Sequence, residues 1–307
     1  MEMGIGRRLR SALVVLALGT GIVAAGSARA NDIDPSTALP IVFVHGFAGS
    51  AAQYASVAKR FVSNGYPADR IRAFEYDSSA SIAAVPAALD AMIDAVRAEF
   101  GVARVNLVGH SLGTTVSGIY LSVPARAAKV ARYIGVDGAS SANCGVTDPN
   151  LDCMGIFRGS AGNVGGNNVY FNSTQSHVEA ATSAQSFAAQ FQFFTGQAPG
   201  TVLILPEPPG QVEVAGRAVN FPQNTGAEGA ILAIWEVDAA SGSRTDAEPV
   251  ATIRIGASGE WGPVQVNGQQ HYEFELLRPD SNSVQHLYYQ PFLRDDLWVR
   301  LLSSPPT

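Results

Sequence analysis

The sequence has few charged residues, no basic run beyond its first ten positions and no internal repeat. Charged side chains make up 15% of the 307 residues and the net charge is -6, which argues against a surface that binds a polyanion. We therefore expect no nucleic acid partner. The 5 histidines, together with the aspartates and glutamates, show no metal-ligand spacing, so we expect neither a metal nor a cofactor.

The extreme N-terminus has the composition of a signal peptide. Three arginines fall between residues 7 and 10, residues 12–25 are apolar or small, and Ala28 and Ala30 occupy the positions that a signal peptidase reads. The apolar run is shorter than the roughly 20 residues that span a bilayer, so we favour a cleaved signal over a membrane anchor. We predict a secreted or periplasmic protein with no stable membrane span, from which residues 1–30 are cleaved near Ala30.

Only two cysteines are present, Cys144 and Cys153, and both follow the predicted signal peptide. In an oxidising compartment such thiols pair, and we predict a disulfide between them, with two free thiols as the alternative. The loop that the bond closes is short, so the bond is worth about 2–3 kcal/mol in the loop-entropy model.

Short apolar runs alternate with helical patterns up to about residue 199. Such runs are typical of strands buried on both faces of a parallel sheet, and their alternation with helices indicates βαβ units. We predict an α/β domain over residues 31–199, a mostly parallel sheet with helices on both faces. Its predicted strands are 41–44, 71–76, 105–108, 133–136, 156–157 and 169–171. One predicted helix follows the first strand and ends near residue 61, and the others cover 82–100, 112–121 and 178–195.

The pattern changes near residue 200, where short β-rich runs separated by Gly, Pro, Ser and Asn replace the helices. Tyr272, Phe274 and Leu276 occupy alternate positions, as a half-buried strand requires. We predict that residues 200–307 form an all-β, sandwich-like domain. Its predicted strands are 202–205, 231–237, 250–255, 272–277 and 284–289.

Residues 109–113 read Gly-His-Ser-Leu-Gly and fit the pattern G-x-S-x-G. The pattern alone is weak evidence, because glycine is frequent in this chain. Its context is stronger, since it lies between a predicted buried strand and an apolar helix, where a nucleophile elbow must lie. Glycines on both sides allow the sharp turn that projects the serine Oγ. We predict that Ser111 is a nucleophile, against the alternative of a glycine-rich connection.

A serine hydroxyl needs a general base at neutral pH. His45 ends the first predicted strand, His110 adjoins the serine, and two further histidines lie in the β-rich part. His177 remains, in a loop between a predicted strand and a predicted helix, and is the predicted base. The alternative is a solvated surface histidine.

The carboxylate that orients this base must lie between Ser111 and His177, in the chain order serine, acid, histidine. Asp137, Asp148 and Asp152 are the candidates. Asp137 directly follows a predicted strand and so emerges at the same sheet edge as the serine, whereas the other two lie in the loop between the cysteines. We predict Asp137 as the acid; its alternative role is to cap backbone amides.

Two backbone amides are predicted to bind the negative oxygen of a tetrahedral intermediate. His45-Gly46-Phe47 directly follows the first strand, and the glycine lets the backbone bend so that the Phe47 amide faces the serine. The Leu112 amide begins a helix and supplies the second donor, supported by the helix dipole.

Around these residues the sequence resembles the secreted lipases and esterases of the α/β-hydrolase family, with Val-His-Gly-Phe at 44–47 and Gly-His-Ser-Leu-Gly at 109–113. It is similar in particular to prokaryotic two-domain lipases, in which a small hydrolase core precedes a β-rich C-terminal domain. The likeness covers nearly the whole chain after the signal and is carried by residues 43–49, 64–68, 168–178 and 292–298.

The resemblance implies a triad of Ser111, Asp137 and His177, in agreement with the prediction from the residues themselves. The sequence departs from these relatives between the second strand and the next helix, where they carry a long helical lid. Residues 76–85 are too few for one, so we expect the lid to be absent or very small.

We therefore predict a carboxylic ester hydrolase of the lipase or esterase type that acts on an ester or lipid through an acyl-enzyme intermediate. A polyester or thioester hydrolase is an alternative, because the triad does not distinguish these substrates. The alternative from another class is a non-catalytic lipid- or glycan-binding protein on a hydrolase scaffold. We also expect residues 201–307 to form part of the acyl-binding wall.

Overall fold

The computed structural model describes residues 31, 33–140, 144, 151–279 and 282–304. The predicted signal peptide and Asp148 lie outside these residues.

A six-stranded, entirely parallel sheet forms the first part of the chain, with strand order β2-β1-β3-β4-β5-β6. In the described residues, six helices and three short 3-10 turns lie between and after its strands. The strands are β1 (Ile41–Val44), β2 (Ile71–Phe74), β3 (Val105–His110), β4 (Val130–Val136), β5 (Asp152–Phe157) and β6 (Asn167–Tyr170). The helices are α1 (Ala55–Ser63), α2 (Val85–Phe100), α3 (Leu112–Leu121), α4 (Pro124–Ala127), α5 (Glu179–Thr182) and α6 (Ala184–Thr195), and the 3-10 turns are Ala51–Tyr54, Ala68–Arg70 and Ile82–Ala84.

The sheet is covered on both faces, which explains why its strand β1 is apolar at every position. All four residues of β1 are fully buried: Val42 and Val44 pack in one apolar cluster, and Ile41 and Phe43 pack in another on the opposite face. Helices α2 and α3 cover the first cluster, and α1 and α6 cover the second. No helix in the described ranges is long and apolar enough to cross a membrane.

Two smaller sheets form the region from Val212 to Ser303, which we call the β region. One sheet has the order β10-β9-β12-β13, and the other has the order β11-β7-β14 with the short β8 paired to β7. The two sheets enclose one apolar core, so the β region is a sandwich. The strands are β7 (Val212–Asn220), β8 (Thr225–Gly226), β9 (Ile231–Val237), β10 (Ala251–Arg254), β11 (Glu260–Val266), β12 (His271–Leu277), β13 (Val284–Tyr289) and β14 (Asp296–Ser303).

The predicted fold class, an α/β core followed by an all-β region, is confirmed. The strand predicted over residues 202–205 is wrong, because this segment bonds to α1 rather than to a strand. The Leu205 amide donates to Ser63 Oγ over 2.9 Å, and Arg60 Nε donates to the Val202 carbonyl over 2.9 Å. The predicted single helix over 178–195 is two helices, separated at Ser183, whose hydroxyl accepts a hydrogen bond from the Ser186 amide and so begins α6.

Strand β14 connects the β region to the parallel sheet. It pairs in parallel with β7. Trp298 lies edge-on to Phe43 of β1, with ring centroids 6.4 Å apart. Asp296 forms an ion pair with Lys59 of α1, with Nζ and Oδ2 2.5 Å apart. The last strand of the fold therefore packs against the first.

A buried carboxylate lies on the outer face of the β9–β12–β13 sheet. Glu273 is only 3% exposed, and Arg244 donates to its two oxygens over 2.8 and 3.1 Å. His286 Nδ1 also donates to this carboxylate, and Arg244 stacks over the Trp235 ring at 4.0 Å. The Arg244 hydrogen bonds are the main cause that lowers the pKa of Glu273 below its ordinary value.

A carboxyl whose pKa is lowered by folding stabilises the fold above its unfolded pKa and loses that effect as the pH falls through its folded pKa. We predict that Glu273→Gln lowers the free energy of unfolding by about 2 kcal/mol at pH 7, because charged hydrogen bonds to Arg244 are lost. The deficit should shrink as the pH is lowered below about 4. Thermal melts across this pH range measure it, with Glu213→Gln, an exposed carboxylate on β7, as the control. A deficit independent of pH would contradict the assignment.

Candidate active site

Ser111 lies in the turn between β3 and α3, with φ 53° and ψ -121°. A positive φ is unfavourable for a residue with a Cβ, and this strained turn is the backbone conformation of a nucleophile elbow. The Ser111 amide donates to the Val136 carbonyl at the end of β4 over 2.9 Å, which fixes the turn to the sheet edge.

Two glycines permit the close backbone contacts that the elbow requires. A Cβ on Gly113 would lie 2.2 Å from the carbonyl oxygen of Val44, so the first turn of α3 rests directly on the end of β1. A Cβ on Gly46 would lie 2.9 Å from the Cβ of Ser111. The backbone that follows β1 therefore passes directly over the serine.

The amides of Phe47 and Leu112 donate no hydrogen bond to any described residue. The Gly46 carbonyl is held by the Gly49 amide over 3.1 Å and by His45 Nδ1 over 2.8 Å. Because N–H and C=O point in opposite directions across a trans peptide, holding the Gly46 carbonyl also fixes the direction of the Phe47 N–H. Burial lowers the pKa of His45, so its ring is neutral and Nδ1 carries the donated proton.

His177 Nδ1 donates to Asp137 Oδ2 over 2.5 Å. Asp137 directly follows β4, as predicted, and its φ of 43° turns the chain sharply at the sheet edge. The same carboxylate accepts from the Arg158 amide over 3.1 Å, and Arg158 Nε lies 3.2 Å from Oδ2. The bond to Asp137 leaves His177 Nε2 as the acceptor nitrogen of the neutral ring.

The His177 backbone is held by His110, the residue that precedes the serine. Gln53 Nε2 donates to His110 Nδ1 over 2.7 Å, and His110 Nε2 donates to the His177 carbonyl over 2.9 Å. Burial is the main cause that lowers the pKa of His110 to about 4, so the ring is neutral at pH 7. A neutral ring can accept at one nitrogen and donate at the other, as this chain of hydrogen bonds requires.

Ser176 and Glu179 fix the loop that carries His177. The Ser176 amide donates to Glu179 Oε2 over 2.7 Å, and the Glu179 amide donates to Ser176 Oγ over 3.3 Å. This reciprocal pair is a capping box. The Ser-x-x-Glu pattern at 176–179 is readable in the sequence and was not used in the prediction.

The Cys144–Cys153 disulfide is present, with Cα atoms 6.3 Å apart. It joins Cys144, which follows Asp137 in the chain, to Cys153 in β5.

Ser111 and His177 face one open cavity of about 440 Å³, which Gly46, Phe47, His110 and Val178 also line. Phe47 is 65% exposed and Val178 is 52% exposed, so the rim of this cavity is apolar and uncovered. Within the described residues no hydrogen bond joins Ser111 Oγ to His177 Nε2. Such bonds are often long in unliganded sites and tighten when substrate binds.

Sequence reasoning did not identify Gln53, Arg158 and Arg300 as part of this region. Arg300, from β14, is the one residue of the described β region that lines the cavity. The expectation that residues 201–307 form part of the acyl-binding wall stays a prediction; the remaining lining residues of this cavity all precede residue 179. Among the described residues no group of three or more His, Cys, Asp or Glu side chains could hold a metal ion.

Comparison with protein families agrees with this architecture. Residues 40–251 match the family model described as alpha/beta hydrolase fold, which covers well over half of the chain. The chain therefore belongs to the α/β-hydrolase family. Residues 210–306 match a second model, described as lipase C-terminal domain, which covers the β region.

Solved structures that match part of this chain include several hydrolases. A Bacillus licheniformis lipase in its propeptide form is 14% identical over 85% of this chain and 75% of that chain, with a TM-score of 0.41. Aspergillus fumigatus lipase B is 11% identical over 57% of each chain, with a TM-score of 0.43. An extracellular α/β-hydrolase from a Paenibacillus species is 18% identical over 34% of this chain and 42% of that chain, with a TM-score of 0.28. At these values the likeness carries no argument about activity.

We predict that Asp137→Asn lowers kcat for ester hydrolysis by about 10⁴-fold, because the amide cannot hold His177 in the required tautomer. Asp152→Asn is the matched control. The Asp152 side chain is 73% exposed at the start of β5, and its Oδ2 lies 3.9 Å from Arg132 Nε. Steady-state kinetics with a soluble ester measure both variants. A large loss in Asp152→Asn with activity retained in Asp137→Asn would reverse the assignment.

Proposed function

We propose that the protein is a secreted carboxylic ester hydrolase of the lipase or esterase type. The observation that carries the proposal is that Ser111, Phe47 and His177 line one open cavity. His177 is hydrogen-bonded to Asp137, and the unpaired Leu112 amide directly follows the serine. A nucleophile, a base with its orienting acid and two donors for an oxyanion are the parts that acyl transfer to serine requires.

In the proposed reaction His177 Nε2 accepts the Ser111 proton as Oγ attacks the ester carbonyl carbon. Asp137 holds the ring and stabilises the positive charge that it gains. The tetrahedral intermediate collapses by breaking its bond to the alkoxide oxygen, which takes the proton from His177 and leaves as the alcohol. Water, deprotonated by the same ring, then attacks the acyl-enzyme and releases the carboxylic acid.

The Phe47 and Leu112 amides are proposed to bind the oxyanion of both tetrahedral intermediates. Each such donor is worth about 2.7–4 kcal/mol of transition-state stabilisation in well-studied serine hydrolases. Backbone amides suit this role because they are fixed before the reaction begins. Here the peptide between Gly46 and Phe47 is fixed by the two hydrogen bonds to the Gly46 carbonyl.

We propose a two-domain organisation, with a catalytic domain over residues 31–199 and a β-rich domain over 200–307. Export after cleavage near Ala30 is part of the same proposal. The Cys144–Cys153 disulfide supports export, because such bonds persist in oxidising compartments.

Labelling by a fluorophosphonate probe tests the proposed nucleophile directly. The wild-type protein should react covalently at Ser111 and should hydrolyse p-nitrophenyl esters, and Ser111→Ala should do neither while remaining folded. A non-catalytic binding protein on the same scaffold would not react with the probe. Turnover in Ser111→Ala above about a thousandth of the wild-type rate would exclude Ser111 as the nucleophile.

The uncovered cavity generates a prediction about kinetics at lipid surfaces. Between the end of β2 and the start of α2 the only helical segment is the 3-10 turn Ile82–Ala84, and the described residues place no lid over the apolar rim. We therefore expect ordinary saturation with soluble esters. The rate on a short-chain triglyceride should rise smoothly as its concentration passes the solubility limit, and an abrupt rise there would contradict an open site.

A further inference from the structure

The loop from Gly46 to Ser50 carries the Phe47 amide and is held by side chains distant in the sequence. Ala48 has a φ of 54°, which is unfavourable for a residue with a Cβ, so the loop needs external support to keep this shape. The Ala48 amide donates to Ser78 Oγ over 2.7 Å. Two further hydrogen bonds, to the carbonyls of Ala48 and Gly49, come from the β region.

Arg300 supplies the first of these two hydrogen bonds, to the Ala48 carbonyl. This residue lies on β14, and its Nη1 donates to the Ala48 carbonyl over 3.1 Å. Its Nη2 donates to Asn224 Oδ1, so the guanidinium is held between the loop and a second residue of the β region.

Asn224 supplies the second of these hydrogen bonds, to the Gly49 carbonyl. It lies in the turn between β7 and β8, is 5% exposed, and donates from Nδ2 to the Gly49 carbonyl over 2.7 Å. Its φ of 60° is in the left-handed region, which asparagine tolerates better than most residues. Asn224 and Arg300 therefore bond to each other and to two consecutive carbonyls of the loop.

We propose that Arg300 and Asn224 are positioning residues of the oxyanion hole, through which the β region sets the reactivity of Ser111. Neither residue needs to touch the substrate. They fix the two peptide groups that follow Ala48. His45 and the Gly49 amide fix the Gly46–Phe47 peptide, which carries the Phe47 N–H itself. This inference rests on the proposed esterase function and gives the β region a role in it other than binding the acyl chain.

The proposal predicts a selective effect on the chemical step. A loop that loses these bonds can move the Phe47 amide away from the developing oxyanion, and a misplacement of about 1 Å can lower a rate about 10²-fold. Ground-state binding of a small ester makes little use of this donor, so kcat should fall and KM should change little.

Two conservative variants test it, with a matched control on the same strand. Asn224→Asp keeps the acceptor for Arg300 but replaces the donor to Gly49 by a carboxylate oxygen. Arg300→Lys keeps the charge but loses the planar fork that reaches two acceptors at once. Asp296→Asn is the control, because it removes the ion pair between β14 and Lys59 of α1 without touching the loop.

The assay is steady-state hydrolysis of p-nitrophenyl acetate and butyrate, inhibition by an alkyl boronic acid that mimics the tetrahedral intermediate, and a thermal melt of each protein. We expect kcat to fall about 10- to 100-fold in Asn224→Asp and Arg300→Lys, with KM within about twofold and boronate affinity reduced in parallel. Asp296→Asn should retain wild-type kcat and boronate affinity even if its melting temperature falls. Asn224→Gly, which keeps a left-handed φ accessible, replaces Asn224→Asp if that variant does not fold.

The outcomes separate this inference from the proposed function. If the wild-type protein neither hydrolyses esters nor reacts with a fluorophosphonate, the proposed function is wrong and this inference is wrong with it. If the wild-type protein is active and the Asn224 and Arg300 variants match it, or if Asp296→Asn loses kcat equally, only the positioning role is wrong.

Discussion

The candidate active site of this protein depends on how closely the first turn of α3 approaches the end of β1. The backbones touch at Gly113 and Val44, where even a methyl group would overlap the carbonyl oxygen. Because they touch, the chain must reverse within the single residue Ser111, and the residues after β1 must pass directly above it. A side chain at Gly113 would move α3 outwards and would separate the serine from the Phe47 amide.

The sequence predicted most of the parallel sheet, because strands covered on both faces leave apolar runs that local reading detects. Strands β7, β11 and β14 escaped prediction for a tertiary reason. Gly216 interrupts the apolar pattern of β7. A Cβ added at this position would lie 1.8 Å from the Val299 carbonyl oxygen, so the glycine allows β14 to approach closely. That parallel pairing joins segments far apart in the chain, and no local pattern specifies it.

The triad candidates were predictable for a geometric reason, since the carboxyl ends of adjacent parallel strands meet at one sheet edge. The groups that hold the triad candidates and the neighbouring loop in place were not predictable from the sequence. Gln53 reaches His110 across 57 positions, and Asn224 reaches Gly49 across 175 positions. Both are amides, which carry no charge and no motif that marks a site in a sequence. Their roles become visible only when their hydrogen-bond partners are known.

The bond between Arg300 and the Ala48 carbonyl spans 252 positions, and this separation imposes an order on folding. Domains form from the N-terminus during synthesis, so the elbow and the parallel sheet can assemble while β14 has not yet emerged. The loop from Gly46 to Ser50 then lacks the hydrogen bond from Arg300 until β14 has been synthesised and has packed. On the proposed assignment, a nascent chain therefore carries the nucleophile Ser111 well before Arg300 supports the loop that bears the proposed oxyanion donor Phe47.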